Sequence, residues 1–199
     1  LFSSRIPRTI SILLSGSSLA LAGLVMQQMM QNKFVSPTTA GTMEWAKLGI
    51  LLSLIFFPKG HILIKLTFAV ALSLGGTFLF VKLINFIKVK EVIFVPLLGI
   101  MIGGIVSSFT TFIALRTNAL QSINNWLNGN FAVITSGRYE ILYLAIPLLI
   151  IAYIFANHFT IAGMGKDFSH NLGVKYEQII NIALLITATL TALVVVTVG

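Results

Sequence analysis

The sequence contains no cysteine and very few acidic side chains. Among its 199 residues only five are aspartate or glutamate, and only 9% are charged. Without cysteine there is no disulfide, thiolate metal site or cysteine nucleophile. A soluble domain usually carries about 25% charged residues, because its surface must be solvated. So little charge cannot cover a globule, and we expect most of the outer surface to face lipid or apolar protein.

Residues that carry chemistry are sparse and scattered. The five acids fall near predicted helix ends or in loops, where solvated caps are the usual explanation: Glu44, Glu91, Glu140, Asp167 and Glu177. The three histidines have no metal-ligand spacing, and no glycine-rich phosphate loop is present. We therefore expect no bond chemistry, no bound cofactor, no metal site and no ATP site in this chain.

The sequence also places no charge at the centres of the apolar segments. Ion-coupled transporters usually hold a charged or histidine side chain at mid-membrane, and channels need a filter loop or a charged ring. Lys65 and Lys82 lie near segment ends, from which they can reach the interface. The sequence disfavours a secondary transporter or channel, although that class stays open as the alternative.

Long apolar runs are what the sequence does contain. Hydrophobic residues make up 57% of the chain, and the mean hydropathy is +0.99. A membrane-crossing helix needs about 20 residues, and these runs lack the alternation of barrel strands. We predict an all-α polytopic membrane protein forming one domain over residues 1–199. Six crossing segments are expected, at residues 9–30, 43–57, 62–87, 92–115, 139–156 and 178–198.

The positive charge fits the same class. The net charge is +8, yet Lys and Arg fall singly at the ends of apolar runs. Nucleic-acid-binding proteins instead concentrate them on one soluble face, so we expect no nucleic acid among the partners. Loop charges leave the orientation open, with seven basic residues on one side and six on the other. The first residue is Leu1 and the last is Gly199, within an apolar run, so we expect a fragment truncated at both ends.

Four local patterns stand out, and the first two have both an ordinary and a functional interpretation. Gly99-x-x-x-Gly103 and Gly104-x-x-x-Ser108 are spacings that let helices approach closely, while Ser107, Thr110 and Thr111 could line a wet path. Arg5 and Arg8 could anchor a helix at the interface or bind carboxylates of a soluble partner. Residues 119–127 have the spacing of a short interfacial helix. Residues 162–174 are a polar island between two apolar segments.

Several stretches resemble the FecCD/BtuC-like family of ABC importer permeases for iron-siderophore and cobalamin uptake. RIPRTI, GSSLALAGLVMQ and QNKFVSPTTAG are similar to the family's opening, and WLNGNF at residues 126–131 to its W-x-x-G-S/G-F segment. The island AGMGKDFSHNLGV resembles the family's L-A-L-G-E-x-x-A-x-x-L-G-V loop. The final VVVTVG is similar to the helix before a family segment that does not follow here. The run from Asn32 to Gly49 is most similar to permeases for ferric catecholate-type siderophores.

The resemblance implies an assembly and a mechanism. A second permease subunit, two ATPase subunits that hold ATP and Mg, an extracytoplasmic binding protein and the lipid bilayer are the expected partners. The expected location is the bacterial cytoplasmic membrane, and the expected function is import of an iron-siderophore by ATP-driven alternating access. A cobalamin or haem importer is the close alternative. The six segments correspond to the family's second to seventh helices.

The resemblance also assigns roles to residues of this chain. Arg5 and Arg8 correspond to binding-protein docking, and Val92 and Ile93 to the inner gate region. The helix at residues 92–115 corresponds to the path-lining helix, and residues 119–127 to a short helix near the outer mouth. Residues expected along the path are Gly103, Ser107, Thr110 and Thr111. Residues expected in the ATPase-coupling loop are Gly163, Met164, Gly165, Lys166, Asp167, Leu172 and Gly173. Lys166 stands where the family usually has an acid.

Overall fold

The computed structural model describes residues 5–87, 93–119, 129–134 and 139–198, without the side chain of Val133. The described part is helical and contains no strand, which confirms the all-α prediction. Its α-helices, in chain order, are α1 (Arg5–Met30), α2 (Thr42–Phe56), α3 (Ile62–Ile87), α4 (Phe94–Arg116), α5 (Ala145–Ile154), α6 (Ala156–Ala162), α7 (Lys166–Asn171) and α8 (Tyr176–Thr197). Short 3-10 helices occupy Phe131–Val133 and Tyr139–Leu144.

The expected count of six crossing helices is not confirmed. In the described part four helices are long and apolar enough to cross a membrane, namely α1, α3, α4 and α8, or five if the bent pair Tyr139–Ile154 and Ala156–Ala162 is one span. That pair bends by 58°. Helix α2 has 15 residues and is therefore about 22 Å long, short of the hydrocarbon thickness of about 30 Å.

Helix α8 is the centre of the bundle. Of its most apolar window, 72% is buried, against 28–33% for α1, α3 and α4. Ala183, Ile186, Leu190 and Leu193 of α8 pack with α1 and with the bent α5–α6 segment in the largest apolar cluster. The other three spans keep exposed apolar faces, which suits contact with lipid or with further protein rather than with water.

Helix α2 packs tightly against α3 through glycine. A Cβ on Gly49 would lie 2.5 Å from the Phe68 carbonyl oxygen, and one on Gly76 would collide with the Trp45 ring. The two helices are antiparallel, because Thr42 bonds to Thr77 while Gly49 meets Phe68. Only a residue without a side chain lets the backbones approach this closely.

The connection from α1 to α2 folds back against the side of α4. Gly41, with a φ of +76°, lies on Gly103, and a Cβ on Gly99 would lie 3.0 Å from the Ala40 Cα atom. The close-packing interpretation of Gly99-x-x-x-Gly103 is therefore confirmed. A Cβ on Gly104, by contrast, would meet nothing within 4 Å, so this second glycine has no close-packing role in the described chain.

Candidate functional site

A turn–helix–turn joins the bent span to the central helix at one end of the bundle. Helix α7 is flanked by Gly165, with a φ of +108°, and Gly173, with a φ of +72°. These left-handed backbone values are strained for any residue with a side chain, so the sequence has glycine at both turns. The geometry turns the chain sharply twice, and six helical residues lie between the turns.

Buried polar contacts hold this element in place. Ser169 is fully buried, and its hydroxyl donates to the Gly165 carbonyl at 2.8 Å, with the Ile161 carbonyl at 3.2 Å. Gly163 lies against the last turns of α1, where a Cβ would stand 2.6 Å from the Gln28 Oε1 atom. Helix α7 is thus tied to α6, and the preceding Gly163 rests beside the end of α1.

Three apolar side chains project from this otherwise polar element. Met164, Phe168 and Leu172 follow one another at intervals of four residues, and each is between 52% and 58% exposed. Phe168 and Leu172, at the end of α7, lie on one face because side chains four apart share a helix face, whereas Met164 precedes the turn at Gly165 and lies outside the helix. Exposed lysine, aspartate and histidine neighbours rule out deep burial of α7 in hydrocarbon. An apolar group with a polar surround is typical of a contact surface for another protein.

Lys166 and Glu177 form an exposed ion pair next to that surface. The Lys166 Nζ and Glu177 Oε1 atoms are 3.0 Å apart, and the side chains are 58% and 71% exposed. The hydrogen bond and charge of Glu177 raise the pKa of Lys166 above its ordinary value of 10.5. The sequence pointed to Lys166 as an unusual charge facing outward, but missed that Glu177, eleven residues on, neutralises it locally.

At the opposite end of the bundle, Arg8 is engaged inside the chain. Its Nε and Nη2 atoms donate to the Phe131 and Ala132 carbonyl oxygens at 3.1 and 3.2 Å. Arg8 therefore ties the start of α1 to residues 131–132, a tertiary contact with no signal in the sequence. Arg5, three residues earlier, is exposed. The docking role of both arginines stays a prediction.

The expected path residues do not share one surface. Gly103 and Thr110 are buried on the side of α4 that faces the rest of the chain, and the Thr110 hydroxyl donates to the Val106 carbonyl at 2.7 Å. Ser107 and Thr111 are half-buried. Ile93 is 74% exposed at the start of α4, while Val92 lies outside the described residues. Of the expected mouth helix at residues 119–127, only Ala119 is described.

A second ion pair lies on α2. The Lys47 Nζ and Glu44 Oε1 atoms are 3.0 Å apart, with Lys47 only 15% exposed and Glu44 only 24%. The sequence predicted Glu44 as a cap near a helix end, and Glu44 lies in the first turn of α2. The folded-back connection from α1, however, places the start of α2 beside the middle of α4, near Gly103.

Comparison with known proteins identifies close relatives. A sequence model of the FecCD transport family matches residues 1–199. The petrobactin import system permease protein YclN of Bacillus subtilis is 54% identical over 199 residues, which is 100% of this chain and 63% of YclN. The ferric-anguibactin transport system permease protein FatD of Vibrio anguillarum is 36% identical over 199 residues, again 100% of this chain and 63% of the relative.

The fold has a solved counterpart. The structure of a metal-chelate type ABC transporter in an inward-facing conformation matches with a TM-score of 0.78 and 22% identity, covering 100% of this chain and 64% of that one.

The petrobactin import system permease protein FatD of Bacillus anthracis is 40% identical over 179 residues, 90% of this chain and 54% of the relative. This chain thus spans about 63% of the length of YclN.

Proposed function

Because the chain belongs to the FecCD transport family, we propose that it is a permease subunit of a binding-protein-dependent ABC importer for an iron-siderophore. The family match over the full sequence carries the proposal, and relatives named for petrobactin and anguibactin import favour a siderophore as the substrate. The protein would work in the bacterial cytoplasmic membrane with a second permease subunit, two ATPase subunits and an extracytoplasmic binding protein.

The turn–helix–turn around α7 is the proposed seat of the ATPase. Its apolar side chains Met164, Phe168 and Leu172 are exposed at a polar end of the bundle, where another protein is the natural cover. The buried Ser169 and the strained Gly165 hold that face in a defined geometry. A contact of fixed geometry can transmit a movement of the ATPase to the permease, whereas a flexible loop would not.

Alternating access follows from what α7 touches. It lies between α6 and α8, and the neighbouring Gly163 rests on Gln28 near the end of α1. Closure of the ATPases around ATP would shift α7, and the central α8 and the adjoining α1 would tilt with it. Tilting of packed helices is a recognised route for switching a transporter between two openings. The permease residues themselves make and break no covalent bond.

The opposite end of the bundle would receive the binding protein. Arg5 is exposed there and can pair with carboxylates of the partner, while Arg8 supports the surface by holding the Phe131 and Ala132 carbonyls. The binding protein would select the substrate, so the permease has to pass the chelate rather than recognise all of it.

Reconstitution in vesicles tests the proposal directly. The complete complex with its ATPase and binding protein should take up the ferric chelate only when ATP is present on the side of the vesicle membrane where the ATPase subunits lie. ATP-independent uptake would favour a secondary transporter or channel instead, and uptake of cobalamin or haem but no siderophore would favour the close alternatives.

The coupling surface has its own matched pair of variants. Phe168→Asp puts a charge in the apolar contact and should lower ATP-driven uptake at least tenfold, while Phe168→Leu keeps an apolar side chain and should stay near the original rate. Both variants should fold, because Phe168 is exposed within this chain, and the ATPase content of the purified complex separates lost docking from lost coupling. Normal uptake by Phe168→Asp would remove the coupling assignment.

A further inference from the structure

The Glu44–Lys47 pair lies at mid-depth in the bundle. Helix α2 runs parallel to α4, since Gly41 meets Gly103 and Leu51 packs with Ala114 farther along both helices. Glu44 itself lies beside Gly103, near the middle of α4. The apolar length of α4 continues past this level in both directions, so the pair is far from either helix end.

Contacts with α3 and α8 place the pair at the same depth. Thr42, just before Glu44, shares a buried hydrogen bond of 2.9 Å with Thr77 of α3. One turn along α3, the Ser73 hydroxyl approaches the Ala188 carbonyl of α8 at 3.3 Å, and Ala188 is close to the midpoint of that helix. Three neighbouring helices thus agree that α2 begins, and carries its charges, near the centre of the membrane.

The Glu44–Lys47 ion pair and the hydroxyls of Ser107 and Thr111 lie along the same side of helices α2 and α4. Successive helical residues turn by about 100°, so Lys47 lies opposite Trp45 and Gly49, which face α3. On α4, Ile102 packs in the cluster that includes Phe80 of α3, and Thr111, nine residues later, is on the opposite side. Ser107 lies one turn before Thr111 and is half-buried with it. Lys47, Ser107 and Thr111 therefore turn away from α3.

Lipid is an unsuitable neighbour for this side. Charged side chains within a membrane pair with one another and face protein or a water-filled cavity, because hydrocarbon does not solvate them. Lys47 and Glu44 keep 15% and 24% of their side-chain surface exposed, so the ion pair is not sealed inside the chain. A partly open ion pair flanked by hydroxyls suits a polar neighbour, and a transport path would supply one as water or a polar solute.

We propose that Glu44 and Lys47 line the transport path at mid-depth, where the Lys47 ammonium meets anionic oxygen atoms of a passing ferric chelate. Ferric iron is held in chelators by anionic oxygens, and an ammonium donates strong hydrogen bonds to such groups. Glu44 lies 3.0 Å from the ammonium and is one of its partners when no chelate is near. The inference rests on the proposed import function and deepens it.

Cysteine labelling tests whether water reaches the site. The chain has no cysteine, so Lys47→Cys introduces a single reactive thiol into it. In the assembled transporter, a membrane-impermeant thiosulfonate should label Lys47→Cys and should do so to different extents with and without ATP. Ala46→Cys, adjacent and fully buried, is the matched control and should stay unlabelled. Absence of labelling at position 47 in every nucleotide state would overturn the proposal.

Uptake measurements test the role of the charge. Lys47→Met should lower the maximal rate of ferric-chelate uptake at least tenfold while leaving binding-protein affinity unchanged. Lys82→Met, at an exposed lysine of α3, is the control and should transport normally. If the unaltered complex takes up ferric chelates and Lys47→Met does so equally well, the inference fails. If the unaltered complex takes up none while position 47 still labels, the proposed siderophore function fails instead.

A double variant separates transport from folding. Glu44→Gln with Lys47→Met removes both charges, so neither is left unpaired, and the complex should regain the stability that Lys47→Met loses. Its uptake should remain at least tenfold low, because the ammonium is still missing. Full recovery of uptake would show that the pair only stabilises the fold, and would overturn the proposal.

Discussion

Two lysine–glutamate pairs with the same 3.0 Å separation occupy very different surroundings in this chain. Lys166–Glu177 lies at the end of the bundle with both side chains more than half exposed, whereas Glu44–Lys47 lies at mid-depth with both less than a quarter exposed. Water screens the first pair and would solvate either partner alone. Water has little access to the second pair, so the same ion-pair geometry should have a much larger effect on both stability and transport there.

The largest difference in uptake between the two sites is expected when the charges within each pair are exchanged. Glu44→Lys with Lys47→Glu keeps an ion pair but puts the carboxylate at the position of the ammonium, so uptake of an anionic chelate should fall at least tenfold. The same exchange at Lys166 and Glu177 should keep uptake within about twofold, because that pair faces water. Rates of ferric-chelate uptake in vesicles provide the measurement, and equal losses at both sites would contradict the contrast.

Breaking the inner pair should destabilise the protein. Lys47→Met leaves the Glu44 carboxylate partly buried without its cation, and we expect a cost of about 2 kcal/mol, below the roughly 3–5 kcal/mol for a fully buried pair because some exposure remains. Thermal unfolding of the purified complex measures the change. The double variant with Glu44→Gln should recover most of the loss, and a double variant as unstable as the single one would argue against an uncompensated charge.

The turn just before Lys166 should depend on the backbone geometry of Gly165 more than on the charge of the Lys166–Glu177 pair. Gly165, with a φ of +108° and a ψ of 167°, occupies a region open almost only to glycine. Gly165→Ala should therefore cost about 1–3 kcal/mol in strain and weaken the coupling of ATP hydrolysis to uptake. Gly104→Ala, on the open face of α4, is the control and should fold normally. An unaffected Gly165→Ala variant would show that the turn relaxes without consequence.

The smallest effect is expected from Lys166→Gln. Exposed ion pairs contribute little to stability, so unfolding temperature and uptake should both stay within error of the original protein. Glu177 raises the pKa of Lys166 above its ordinary value of 10.5, so the lysine keeps its charge through neutral pH and loses it only as the pH rises beyond that value. Uptake between pH 6 and about pH 8 should therefore show no step from this lysine. A marked loss in Lys166→Gln would instead indicate a direct contact with the ATPase.

Local patterns in the sequence predicted much of the fold and part of the site. Apolar runs located α1, α3, α4 and α8 to within a few residues, because a membrane helix must satisfy its backbone internally and present apolar side chains for about 20 residues. The polar island at residues 162–174 was predicted as an interruption between two apolar segments, and its Gly165 and Gly173 adopt the positive φ that favours glycine. The predicted fifth segment, residues 139–156, ends at the bend, but the helix α6 that continues beyond it was not predicted.

Contacts between distant parts of the chain escaped prediction. Arg8 and Phe131 are 123 residues apart, and the pairing of Lys166 with Glu177 depends on how α7 returns to α8. Gly103 and Thr110 belong to the same helix as Ser107 and Thr111, yet the first two pack inward and the others lie at the edge. The direction in which α2 and α3 approach α4 decides that difference, and no helical periodicity reports it.

Hydropathy and spacing by themselves determined that this chain is a helical membrane protein and where its long helices lie, because the bilayer imposes a length and a polarity on each segment separately. The backward fold of the α1–α2 connection, and with it the depth of Glu44 and Lys47, was decided only by tertiary structure. Depth is a relation between helices: the glycine contacts of Gly41 with Gly103 and of Gly49 with Phe68 set how far α2 slides along its neighbours. A charge that looks like a surface cap along the sequence becomes part of a half-buried pair when that sliding places it beside the middle of α4.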